Sequence, residues 1–78
     1  MLLEDFLGAI PYDRFSVESI GNDGKFITLL NGPTIIKIEY YNEYTDVFCS
    51  VREDRSILFS ERIQTAEELT RVLNKYIK

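Results

Sequence analysis

The stretch Thr34–Val51, TIIKIEYYNEYTDVFCSV, decides the fold of this chain. Apolar residues alternate with polar ones on both sides of Tyr41-Asn42-Glu43-Tyr44, the pattern of two half-buried strands folded back on each other. A turn at those four residues pairs Ile38 with Val47 and Ile36 with Cys49. It also sets Glu39 opposite Asp46, with Lys37 diagonal to Asp46.

Before this hairpin, Asn31-Gly32 is a strong two-residue turn signal, and Pro33 can stand at the start of a strand. That turn pairs Ile27 with Ile36 and Leu29 with Thr34. Earlier still, Phe15–Ile20 and Lys25–Leu30 read as strands joined through Asn22-Asp23-Gly24, with Gly24 at the left-handed position of a three-residue loop. Val17 then faces Leu29, and Ile20 faces Phe26. These turn choices gather Val17, Ile27, Leu29, Ile36, Ile38, Val47 and Cys49 on one face, and a one-residue slip would scatter them.

After the hairpin, Arg52-Glu53-Asp54-Arg55 is a polar turn and Ser56–Arg62 a fifth strand at an edge. Ile57, Leu58 and Phe59 point to both faces and leave its register open. Thr65-Ala66-Glu67-Glu68 is a capping box. Leu69, Val72, Leu73, Tyr76 and Ile77 follow at helical spacing, with acids in the first turn and Arg71, Lys75 and Lys78 toward the end, complementing the helix dipole. At the other terminus, Leu2, Leu3, Phe6, Leu7 and Ile10 make one stripe of a short helix stopped by Pro11. The expected fold is therefore α+β. An antiparallel meander of about five strands carries a short N-terminal helix and a C-terminal helix packed on its Val17–Cys49 face, all in one small domain, 1–78.

With 78 residues the chain buries only about 60% of the surface its unfolded form exposes, so every packing contact counts. A hydrophobic fraction of 45% and a charged fraction of 28% are those of a globular protein. No apolar run approaches the ~20 residues of a membrane span, and MLLEDFLGAI lacks the basic start of a secretory signal. The expectation is a soluble cytoplasmic protein. The net charge of −4 argues against nucleic-acid binding, because phosphate contacts need clustered Lys and Arg.

Chemistry is sparse. The sequence contains no His, the commonest general base and metal ligand. It has neither a P-loop nor a dinucleotide-binding glycine motif, and GNDG reads as a turn. Cys49 is the lone cysteine and reads as a small buried hydrophobe. No catalytic set, metal site or cofactor is expected. Glu39 facing Asp46, with Glu61 beside them, leaves one competing reading: a small-ligand or metal-binding enzyme subunit.

The second sheet face carries Ile20, Phe26, Leu30, Ile35, Tyr41, Tyr44 and Phe48 among Lys37, Glu39 and Asp46. A solvent-facing sheet alternates more cleanly, and a contiguous apolar patch marks an interface unless another element covers it. The N-terminal helix is one such cover. The candidate partner-binding residues are Tyr41, Tyr44, Phe48, Glu39, Asp46, Glu43, Ile35 and Lys37. The chain reads as a non-catalytic protein-interaction module, a small acidic adaptor or inhibitor that docks on a larger protein or pairs as a homodimer. A phage or mobile-element inhibitor, acting as an acidic decoy for a nucleic-acid-binding or host-defence protein, is the alternative within the binding class.

Overall fold

Pro33 has no amide hydrogen, and the register of the sheet follows from that. A two-residue turn is closed by the amide of its fourth residue. With Asn31-Gly32 at its centre the fourth residue would be Pro33, which cannot donate. The turn moves on by one, so Asn31 pairs with Thr34 and Gly32-Pro33 form the loop. Gly32 takes φ +60°, and the proline ring holds Pro33 negative, the φ pattern of a type II′ hairpin turn. Leu29 then faces Ile36 and Ile27 faces Ile38, two residues from the expected partners. A shift of two keeps every side chain on its face, so the core set survives the correction.

The structure, a computed structural model, describes residues 3–21, 25–41 and 46–77. Its strands are β1 (Ser16–Gly21), β2 (Phe26–Asn31), β3 (Thr34–Tyr41), β4 (Asp46–Glu53) and β5 (Ser56–Ile63). They form an antiparallel meander in the order β1-β2-β3-β4-β5. The expected turn residues Asn42, Glu43 and Tyr44, and the loop Asn22-Asp23-Gly24, lie outside the described residues. In the central hairpin Ile38 faces Cys49, Ile36 faces Val51 and Tyr41 faces Asp46, again two residues beyond the expected pairing. Lys37 therefore faces Ser50 and is not diagonal to Asp46. The β4–β5 turn is Asp54-Arg55, with Asp54 at φ +55°, a conformation that Asp accepts more readily than most residues.

Each edge strand carries one extra residue. Val17 faces Leu29 but Ile20 faces Ile27, so Glu18 is a bulge and Ile20 turns to the face opposite the one expected. In β5, Phe59 faces Val51 and Ile57 faces Arg52, so Leu58 is the extra residue. Its carbonyl accepts the Tyr76 hydroxyl at 3.3 Å. The ambiguous run at Ile57-Leu58-Phe59 is thus settled by a bulge that sends Phe59 and Ile57 to opposite faces. Bulges at edges interrupt the flat row of unpaired backbone groups on which another strand could add.

The two helices are α1 (Leu3–Gly8) and α2 (Ala66–Lys75). Thr65 caps α2, its Oγ1 accepting the Glu68 amide at 3.2 Å, as the capping box requires. Leu69 and Leu73 are fully buried against Ile27, Leu29, Ile36, Ile38, Val47, Cys49, Val51 and Ile63. The α1 helix joins the same layer. Phe6 is fully buried and stacks on Tyr40 with ring centroids 5.7 Å apart. The Thr70 hydroxyl of α2 donates to the Ala9 carbonyl at 2.9 Å, filling one acceptor that the end of α1 leaves open. After Pro11, a 3₁₀ turn at Tyr12–Arg14 leads into β1 and buries Phe15. Asn31 Nδ2 donates to the Arg14 carbonyl at 3.2 Å and ties this lead-in to the end of β2.

Both helices thus lie on one side of the sheet. At about 1.5 Å per residue, helices of six and ten residues do not span five strands. The β1 side stays bare: Val17 faces the helix layer yet is 42% exposed. None of the described helices is long and apolar enough to cross a membrane.

Two measurements check this packing. Thr65→Ala removes a capping bond worth about 0.5–2 kcal/mol, and each kcal/mol lowers Tm by roughly 4–8 °C in a chain this small. An unchanged melting curve would mean that α2 draws its start from elsewhere. Cys49 is fully buried, and burial pushes its thiol up to about 12 from an ordinary 9.0. Thiol reagents should label it slowly in the native state and fast in denaturant. The thiol of the unfolded chain ionises first, so the Cys49 contribution to stability is complete below about pH 9 and declines as pH rises toward 12. Rapid native labelling would contradict this placement.

Candidate functional site

The face of the sheet turned away from the helices is crossed by rows of side chains perpendicular to the strands. From β1 to β5 one row reads Gly21, Phe26, Glu39, Phe48, Arg62. The next reads Ser19, Thr28, Lys37, Ser50, Ser60, and the one after it Ser16, Leu30, Ile35, Arg52, Ile57. Tyr41 and Asp46 begin a further row beyond Phe26 and Phe48. Four of the five residues in the second row are small and carry hydroxyls. Bulky rows lie about 7 Å to either side of it, since two residues along a strand separate one row from the next.

The result is a shallow valley across the sheet with apolar and charged walls. It holds a hollow of about 220 Å³ lined by Phe26, Lys37, Glu39, Phe48 and Ser50. Phe26 and Ile35 are exposed, and Phe48 is half-buried. No described helix covers this face.

At one end of the valley the polar groups are organised. The Tyr41 hydroxyl donates to Glu39 Oε2 at 3.1 Å, and the Arg62 guanidinium sits over the Tyr41 ring, 5.7 Å from its centroid. Tyr41 is held above the ordinary tyrosine range, first because ionisation would lose the hydrogen bond to Glu39. Burial and the Glu39 charge add to this, and Arg62 opposes it. Asp46, opposite Tyr41, is 5% exposed, and its Oδ1 has no hydrogen-bond partner among the described residues.

Tyr41, Phe48, Glu39, Asp46, Ile35 and Lys37 therefore share one face, as the alternation implies. Tyr44 and Glu43 lie outside the described residues. The expected carboxylate group does not form. Glu39 faces Phe48, while Glu61 faces Cys49 on the helix side of the sheet. Among the described residues no cluster of three or more potential metal ligands occurs. Ile20 leaves the face because of the Glu18 bulge.

Arg62, Arg52 and the hydroxyl row were missed by sequence reasoning. A row across five strands becomes visible only when four registers are known together. A larger cleft, of about 620 Å³, lies between α1 and the start of α2, with Glu4, Asp5 and Glu67 on its walls. No family model, curated protein or solved structure matches this chain significantly.

The Tyr41–Glu39 contact is testable by NMR titration of the tyrosine rings. Tyr41 should ionise above the ordinary value, and Glu39→Ala should bring it down, since the acceptor and the negative charge go together. A Tyr41 titration that Glu39→Ala leaves unmoved would mean that the contact is absent in solution.

Proposed function

We propose that the chain is a non-catalytic protein-interaction module, a small acidic adaptor or inhibitor that docks on a larger protein through the open face of its sheet. The observation that carries this is the position of α1. With both helices on one side, Phe26, Leu30, Ile35, Phe48 and Ile57 form apolar walls that no described helix covers. Exposed apolar walls set among charges are the composition of an interface. Tyr41, with its apolar ring and polar tip, belongs to the residue types that anchor such surfaces.

Within the same class, an acidic decoy would present a face of carboxylates. Here Lys37, Arg52 and Arg62 stand beside Glu39 and Asp46, so mixed charge favours a protein surface over a nucleic-acid mimic. Glu61 lies on the other side of the sheet from Glu39 and Asp46, which speaks against a site built from these three carboxylates.

Phe48→Lys tests the proposal. Phe48 is half-buried on the open face, so the variant should melt close to the parent chain, whereas a core phenylalanine would cost about 3–5 kcal/mol on truncation. The same variant should lose most of its affinity for a protein captured from the source cell, because a buried aromatic anchor contributes about 2 kcal/mol or more. An unfolded variant, or a folded one that binds its partner unchanged, would count against docking at this face.

A further inference from the structure

Resting on the docking role above, we propose that the free chain closes its open face with a second copy of itself. The two copies are related by a two-fold axis in the interface that runs along the rows, between the phenylalanine row and the hydroxyl row. A larger protein would then compete with the second copy for the same surface.

The rows carry this proposal. Rotation about such an axis keeps each strand over its counterpart and exchanges the two rows beside it. Phe48 of one copy then enters the hydroxyl row over the partner's Ser50, and Phe26 comes over the partner's Thr28. Phe26 and Phe48 thus meet small side chains twice, once from each copy. The charges match under the same operation. Glu39 faces the partner's Lys37, and Lys37 faces the partner's Glu39. The row beyond sets Tyr41 over the partner's Ile35 and Asp46 toward the partner's Arg52. Asp46 is 5% exposed, so this last attraction acts between charges and not through a direct hydrogen bond.

Mixed charge also removes an obstacle to self-association. The whole chain has a net charge of −4, and two acidic faces would repel. The open face instead holds Lys37, Arg52 and Arg62 against Glu39 and Asp46, close to balance. The two-fold operation brings opposite signs together at Glu39 and Lys37, where an arbitrary docking would not.

The geometry suits two sheets packed face to face. A two-fold axis along the rows aligns the strands of both sheets, the usual arrangement of β-sandwiches, with sheets about 10 Å apart. Five strands at ~4.8 Å spacing and three full rows at ~7 Å give roughly 500 Å² of flat area per copy. The two copies together bury about 1,000 Å² before side-chain relief is counted, enough for a specific interface of modest affinity. The Glu18 and Leu58 bulges discourage the rival mode, in which edge strands of two copies pair side by side.

Sedimentation velocity on the full chain, from about 1 µM to about 1 mM, covers millimolar and micromolar dissociation constants. The expected result is a concentration-dependent monomer–dimer equilibrium. Lys37→Glu alone places like charges on both sides of the axis, as does Glu39→Lys alone, and each should weaken the dimer ten-fold or more. The double variant Lys37→Glu/Glu39→Lys restores opposite charges and should restore the dimer. Lys37 and Glu39 also neighbour each other along β3, so the rescue is read only among variants whose circular dichroism and melting match the parent chain. Ser50→Lys, which fills the valley under the partner's Phe48, should give a folded monomer and serves as a second probe should a charge variant fold poorly. Circular dichroism establishes folding for each variant.

A chain that stays monomeric at about 1 mM overturns the second-copy proposal. A dimer indifferent to the single charge reversals, or one not restored by the double variant, overturns it as well. The docking role is read separately, in the Phe48-dependent capture of a larger protein. A monomeric chain with Phe48-dependent capture keeps that role and loses the dimer. A rescued dimer whose capture ignores Phe48 keeps the dimer and loses docking at this face.

Discussion

The stacking of Phe6 on Tyr40 determines which surface of this protein is available. Phe6 of α1 is fully buried, and its ring lies on Tyr40, 5.7 Å away, at the helix side of β3. That contact and the Thr70–Ala9 hydrogen bond hold α1 beside α2. Had α1 crossed to the other side, Phe26, Ile35 and Phe48 would be core residues in a three-layer fold. Because it does not, they are the walls of an open valley. A helix of six residues has no stability of its own and goes where its apolar side chains are buried best.

The same economy of size shapes the edges. A 78-residue chain has enough helix to cover the middle of one sheet face but not its β1 side, and Val17 and Ile20 stay exposed there. An exposed strand with apolar side chains invites another strand to pair with it. Glu18 and Leu58 each break the regular pairing at one edge, and Leu58 has its carbonyl occupied by Tyr76. Both bulges thereby work against edge-to-edge pairing, which leaves the face as the surface for the proposed docking.

On that face the register carries functional weight. Tyr41, Glu39 and Arg62 form a connected group, and the hydroxyl row runs beside it. A pairing shift of two residues leaves every residue on its face but changes every cross-strand neighbour. Glu39 would meet Asp46 in one register and meets Phe48 in the other. The first pairing suggests a carboxylate site and the second a mixed aromatic and charged wall. The chemistry of the surface therefore depends on the turn at Gly32-Pro33 and on the extension of the central hairpin to Tyr41 and Asp46.

Much of the architecture was legible in the sequence because it rests on local chemistry. Period-two alternation in β2, β3 and β4 named the core face, since neighbouring side chains in a strand must point to opposite sides. Thr65 and Glu68 announced the start of α2 because amides at a helix start lack backbone partners. Pro11 ended α1, and the loss of an amide at Pro33 was there to be read as a constraint on the turn. The tertiary structure alone decided the rest. Bulges at Glu18 and Leu58 arise from fitting edge strands to a twisted sheet, and no local signal marks them. The side chosen by α1 depends on where Phe6 finds Tyr40, 34 positions along the chain. The rows of the open face depend on four registers at once, because side chains far apart in sequence become neighbours only when the strands that carry them are aligned.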